Sequence, residues 1–242
     1  AAKTLAWAWD KPLIDINHVR AHIYAACLAP ESPSPFPAVA LVVSGGHTAL
    51  YSCRGPMEVT QLGATTDDAA GEAFDKVANI LQLGYPGGPI IDKLSRQGNP
   101  RAIDFPRSWL DKGSLDFSFS GIKTAVLYHV RGQNARDEKV HLDSATKADI
   151  AASFQQAVVD VLVGKTMLAL KQQGLNRVIL GGGVCANTAL RAAMQRACQG
   201  ADAELFLAPL AYCTDNAAMV AGLAYHKLQA NLIADLSLTA NA

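Results

Sequence analysis

The sequence lacks a net charge: 21 basic side chains balance 21 acidic ones. No global field draws the chain to nucleic acid, so any RNA contact must come from a local patch or a partner. It also lacks charge density. Only 17% of its 242 residues are charged and half are hydrophobic, which excludes disorder and supplies material for a sizeable core. The five cysteines (Cys27, Cys53, Cys185, Cys198, Cys213) are odd in number, scattered, and contain no C-x-x-C. That excludes a disulfide framework and a cysteine zinc site, and it predicts buried, reduced thiols of an intracellular protein. No run is long enough to span a bilayer, no basic-then-apolar leader is seen, and N-x-S/T sequons are absent. A cytoplasmic, membrane-free protein is expected. Neither the P-loop nor the dinucleotide fingerprint is present. The length allows one large domain or two small ones.

The opening "AAKTLAWAWDKP" reads as the end of a helix followed by a turn, so residues before Ala1 are expected. "PLIDIN" (12–17) predicts a short strand, and a helix should run from His18 to about Cys27. "ESPSPFP" (31–37) is a proline-rich loop. "AVALVVS" (38–44) has the continuous apolar character of a strand buried on both faces. "GGH" turns it into "TALYSC" (48–53), a hairpin, and "MEVTQLGA" (57–64) is a third strand. A helix is expected from Asp67 to about Leu83, its two aspartates suiting a helix start. "GYPGGP" (84–89) breaks the chain before "IIDKLSRQG" restarts a helix. A further helix is expected from Ile122 to about Val130, then a polar exposed stretch at 132–144. A long helix should cover 147–174, ended by Gly174. From "RVILGGG" (177–183) onward, strand and helix alternate, which argues for a mostly parallel sheet covered by helices.

Three glycine turns follow apolar segments: "VVSGGHT" (42–48), "YPGGP" (85–89) and "LGGGVCAN" (180–187). Glycine lets a backbone approach a ligand closely. A helix that starts after such a turn offers N–H groups and a dipole to an anion. One such turn is a weak signal; three in one chain favour a nucleotide cleft. Asn187 could reach a ribose or base hydroxyl. Glu72 and Lys76 lie one helical turn apart and can pair, while Asp75, one step round, could accept from a ribose diol. In "HVRAH", His18 and His22 fall on one helix face. Asp215 begins a later helix, where it could cap or compensate the dipole. It could also complete His18 and His22 as an oxygen ligand, because two imidazoles and a carboxylate with open positions suit catalytic iron or zinc.

"HVRAH", "VVSGGHT", "DDAAGEAFDKVANILQLGYPGGP", "LDFSFSGIKTA", "LGGGVCANTALR" and "CTDNAAM" occur in the order seen in the bacterial TsaD family, long described as a glycoprotease (O-sialoglycoprotein endopeptidase). The resemblance covers nearly the whole chain. It implies an α/β ASKHA fold, shared with actin, Hsp70 and sugar kinases, of two lobes with mixed sheets. Family members carry a further stretch before "AAKTLAWAWD", so the first lobe is expected to be incomplete. Residues 1–120 would be the remainder of the N-terminal lobe and 121–242 the C-terminal lobe, with the final helix packing back toward the first. The implied reaction moves a threonylcarbamoyl group from threonylcarbamoyl-AMP to N6 of adenosine 37 in tRNA. By the same resemblance, one divalent metal (Fe2+ or Zn2+) is held by His18, His22 and Asp215. Val42, Val43, Ser44, Gly45, Gly46, Asp75, Gly88 and Asn187 meet the adenine nucleotide. TsaB-like and TsaE-like proteins are the implied partners.

The donor is an activated mixed anhydride, so no enzyme nucleophile is needed; orientation and charge stabilisation suffice. His47 is a candidate proton acceptor, or a structural hydrogen-bonding group. Lys123 could touch phosphate or RNA. A metallopeptidase would need the glutamate of H-E-x-x-H, but Val19 follows His18. A non-catalytic scaffold would keep these residues without binding nucleotide. A hydrogenase-maturation carbamoyltransferase shares the fold but fits "SGGHT" with "CTDNAAM" less well.

Overall fold

The computed structural model describes residues 1–29, 33–132 and 142–239. Its centre is one five-stranded mixed sheet in the order β3-β2-β1-β4-β5. The strands are β1 (Ala38–Val43), β2 (Thr48–Cys53), β3 (Val59–Ala64), β4 (Arg177–Gly181) and β5 (Glu204–Leu207). β1, all aliphatic, is wholly buried and lies between β2, its antiparallel hairpin partner, and β4, which runs parallel to it. The sheet joins strands from both sides of residue 120: Val39 of β1 pairs with Val178 of β4.

Eight α-helices accompany the sheet among the described residues: α1 (Ala2–Ala8), α2 (His18–Tyr24), α3 (Ala70–Ile80), α4 (Gly87–Ser95), α5 (Ser120–Arg131), α6 (Ser144–Gln173), α7 (Thr188–Gly200) and α8 (Ala217–Gln229). α6 runs through the largest core cluster and buries residues on most of its circumference, including Phe154, Val158 and Leu162. Asp143 caps it, accepting from Thr146 N at 2.7 Å, and Gly174 ends it in the left-handed region at φ 63°.

Three local expectations change. Among the described residues "PLIDIN" forms a single bridge, Leu13 to Ala234, and no strand. α3 starts at Ala70, not Asp67. Asp67 instead accepts from Ser118 Oγ, Ser120 Oγ and the Phe119 and Ser120 amides, while Asp68 accepts from Lys76 and Lys123. The pair thus ties the "FSFSG" segment to the helix entrance, and Lys123 is engaged by a carboxylate. The polar stretch at 132–144 lies mostly outside the described residues.

The parallel register of β1 and β4 sets up the functional edge. Val42 pairs with Gly181, so the 44–47 turn and the 181–183 turn emerge side by side at the carboxyl ends of adjacent strands. Open α/β sheets bind ligands at that edge.

Candidate metal centre and adjoining cleft

α2 is gripped from two sides. A Cβ at Gly181 would lie 2.5 Å from the His22 carbonyl oxygen, so only glycine lets β4 approach α2 this closely. A Cβ at Gly222 would lie 2.5 Å from Tyr24 Cε1, which lets α8 press onto the other side; Tyr24 Oη and His226 Nε2 are 3.1 Å apart there. Asn17 caps α2 by accepting from Arg20 N at 3.0 Å. Asn216, not Asp215, caps α8, accepting from Met219 N at 2.9 Å. Asp215 is therefore released from capping and stands two residues ahead of α8, over α2.

The three sequence-distant side chains meet. Asp215 Oδ1 lies 3.2 Å from His18 Nε2 and 3.2 Å from His22 Nε2. One ligand atom from each of the three lies within 4.8 Å of the other two. The imidazoles are edge-to-face, 4.7 Å between centroids. His22 is 1% exposed, and neither ring nitrogen has a hydrogen-bond partner: Nε2 is close to Asp215 but not aligned for a hydrogen bond. Orphaned buried nitrogens are costly unless something else occupies their lone pairs. Ligands about 2.0–2.2 Å from a shared ion sit roughly 3.0–3.5 Å apart, and the two Asp215–histidine separations fall in that range. Burial, and then the neighbouring His18, hold the His22 imidazolium below its ordinary pKa; Asp215 opposes this only in part. Neutral imidazole is the ligating form. The Asp215 side chain is 79% exposed, which leaves one side of the cluster open.

The Asp215 segment is anchored from behind. Arg191 on α7 donates from Nε to Cys185 O at 2.6 Å and from Nη2 to Ala208 O at 2.9 Å. It also reaches Cys213 Sγ at 3.3 Å, and that sulfur is 3.2 Å from Cys185 Sγ. The hydrogen bond with Cys185, reinforced by the guanidinium, holds the Cys213 thiol below the ordinary range. No disulfide forms among the described cysteines.

Beside the cluster lies a cleft of about 480 Å³, a size suited to a nucleotide. Gly45, Asp75, Gly88 and Asn187, all expected from the sequence, line it. Asp75 Oδ1 accepts from Gly87 N at 2.7 Å at the start of α4. Asn187 does two structural tasks, accepting from Leu190 N as the cap of α7 and donating to Gln155. Ser44 holds the hairpin turn: its Oγ accepts from His47 N at 3.1 Å and its N donates to His47 O at 2.7 Å. Gly46 and His47 are exposed at the same turn. Val42 and Val43 are both 0% exposed, their side chains packed into separate core clusters. Strand alternation places them on opposite faces of β1. Phe74, Tyr85, Asp92 and Arg96 also line the cleft and were missed. Tyr85 sits inside the quoted "GYPGGP", and Asp92 on α4 forms an i,i+4 ion pair with Arg96, the residue that caps its C-terminus. The cleft and the cluster share one edge: Gly181 abuts His22, and Gly183 lines the cleft.

This mixed-sheet α/β chain, with a nucleotide-sized cleft at the carboxyl ends of its strands, has the ASKHA-like fold expected from the sequence. Two solved HypF structures share this fold. One, in a phosphate- and nucleotide-bound form, has a TM-score of 0.66 at 14% identity, covering 93% of this chain and 37% of that one. The other, from T. kodakarensis, has a TM-score of 0.63 at 14% identity, covering 92% and 38%. This likeness shows the fold alone. The chain belongs to the TsaD family, tRNA N6-adenosine threonylcarbamoyltransferase, whose model matches residues 1–222. Curated relatives of that name include one from Rhodopirellula baltica, 49% identical over 98% of this chain and 69% of its own length. Another, from Moorella thermoacetica, is 50% identical over 99% and 68%. The chain thus spans about two thirds of the length of these relatives.

Proposed function

We propose that the chain carries out the family reaction, transfer of threonylcarbamoyl from threonylcarbamoyl-AMP to N6 of adenosine 37 in tRNA. The observation that carries this reading is the adjacency of the cleft to the His18–His22–Asp215 cluster along one sheet edge. Asp75 and Asn187 would hold the nucleotide end of the donor, and Tyr85, 83% exposed at the cleft, offers an aromatic face to a base. A divalent ion held by His18, His22 and Asp215 would supply Lewis-acid polarisation and charge compensation. The chain's own part is to orient the carbamoyl carbon toward the amine and to handle the proton. Attack by N6 forms the carbamoyl N–C bond, the C–O bond to phosphate breaks, and AMP leaves. His47, exposed at the 44–47 turn, would take the N6 proton. Gly45 and Gly46, together with the 181–183 turn, would offer backbone N–H groups at the same edge, where negative charge would develop on the leaving group.

TsaB-like and TsaE-like partners belong to the same proposal. Among the described residues no helix is long and apolar enough to cross a membrane. The test is reconstitution of the metal-loaded chain with threonylcarbamoyl-AMP, tRNA and the partner proteins, with the modified nucleoside read by mass spectrometry. Transfer that disappears in His18→Ala and Asp215→Ala supports the reading. Nucleotide binding without transfer, in the presence of metal and partners, refutes it and leaves a scaffold role.

A further inference from the structure

A buried run of amides fixes which way Asn187 faces the cleft, and we propose that Gln155, outside the cleft, is the positioning residue that sets it. The run has two ends whose direction cannot change. At one end, Leu190 N–H, a donor only, gives its hydrogen to Asn187 Oδ1 at 2.9 Å. That places the amide nitrogen of Asn187 on the other side, where Nδ2 donates to Gln155 Oε1 at 2.7 Å. Gln155 must then turn its own nitrogen away, and Nε2 donates to Ser95 Oγ at 2.7 Å. The Ser95 hydroxyl passes its hydrogen to Asp92 O at 3.0 Å, an acceptor only. Backbone groups fix both termini, so no amide in between can flip without leaving a like-to-like contact.

The three side chains are 8%, 5% and 9% exposed for Asn187, Gln155 and Ser95, so water does not readily replace a lost partner. Asn187 Nδ2 carries two hydrogens, and Gln155 takes one. The second is available to the cleft that Asn187 lines. The site therefore presents a donor at this point, and the ligand atom meeting it must be an acceptor, such as a sugar or phosphate oxygen or a ring nitrogen of a nucleotide. Gln155 itself is not among the residues lining the cleft. It acts through Asn187 by holding that donor at a fixed angle. This inference rests on the cleft being the nucleotide site.

The test is calorimetric titration of AMP into the whole chain as wild type, Gln155→Met, Asn187→Ser, the double variant and Gln155→Glu, with Tm recorded for each. Methionine keeps the bulk and removes the acceptor; serine keeps an oxygen to cap α7 and removes the amide nitrogen. Each single change is expected to weaken AMP binding about five- to tenfold, the size of one lost hydrogen bond. The double variant should be no weaker than Asn187→Ser, because the two residues act as one unit. Gln155→Glu keeps an oxygen toward Asn187 and should recover most of the affinity, even where Tm falls. Additive losses in the double variant, or a Gln155→Met variant that melts lower yet binds AMP normally, would overturn the assignment. A wild-type chain that binds no AMP would sink the cleft reading, and this inference with it.

Discussion

His22→Leu should separate a metal ligand from a structural histidine without any activity assay. The wild-type imidazole is almost fully buried and neither nitrogen is hydrogen-bonded. In the metal-free chain that arrangement costs about 1–3 kcal/mol. Leucine has similar bulk and no polar atoms, so metal-free His22→Leu should be more stable than metal-free wild type. At roughly 2–4 °C per kcal/mol for a chain of this size, Tm should rise by several degrees. Metal addition should reverse the order. An ion at a hundred times its Kd stabilises the wild type by about 2.7 kcal/mol, and the variant, with one protein ligand gone, should gain little. The pH dependence has a defined sign. Burial keeps the folded pKa of His22 below its ordinary 6.5, so the unfolded chain takes up the proton first as pH falls. Metal-free wild type should therefore lose stability below about pH 6.5, a loss absent from the leucine variant. Scanning calorimetry in chelator, and then in Zn2+ or anaerobic Fe2+, reads all three effects. A metal-free leucine variant that melts several degrees lower, with the metal-induced rise intact, would show that the imidazole is structural and sink the proposed centre.

Three further outcomes are expected. Asp75→Ala removes both the cleft carboxylate and the acceptor for Gly87 N, so AMP affinity should drop about tenfold by calorimetry; unchanged affinity would remove Asp75 from the site. Asp68→Asn should cost about 1–2 kcal/mol in urea titrations at pH 7, because it breaks contacts to Lys76 and Lys123. Burial works against ionisation of Asp68, but the two lysines outweigh it and hold its pKa below 3.8; its stabilisation is thus present above that value and lost as pH falls below it. A thiol reagent should label about one cysteine slowly in the native chain and five after denaturation: Cys27 alone is partly exposed, and burial pushes its thiol up to about 11. Rapid native labelling of more than one would contradict the burial of the rest.

The sequence by itself determined the local elements and the identities of most functional groups. β1 was readable because a strand buried on both faces must be continuously apolar, and α6 because apolar side chains recur at helical spacing. "HVRAH" placed two imidazoles on one face, and the glycine turns marked where backbone comes close to a ligand. Boundaries were less legible wherever a side chain had two plausible partners. Asp67 and Asp68 resemble helix starters in composition, but they are drawn to Ser118, Ser120, Lys76 and Lys123, groups the chain brings near only after folding.

Only the tertiary structure decided which distant residues meet. α8 docks on α2 because Gly222 makes room for Tyr24, and Asn216 takes over capping, so Asp215 arrives at His18 and His22 from the far end of the chain. Parallel pairing of β1 with β4 put two separate glycine turns at one edge, while the same pairing closed Val42 and Val43 inside the core. A motif shows which atoms are available, but access and distance depend on long-range packing, which no local stretch encodes.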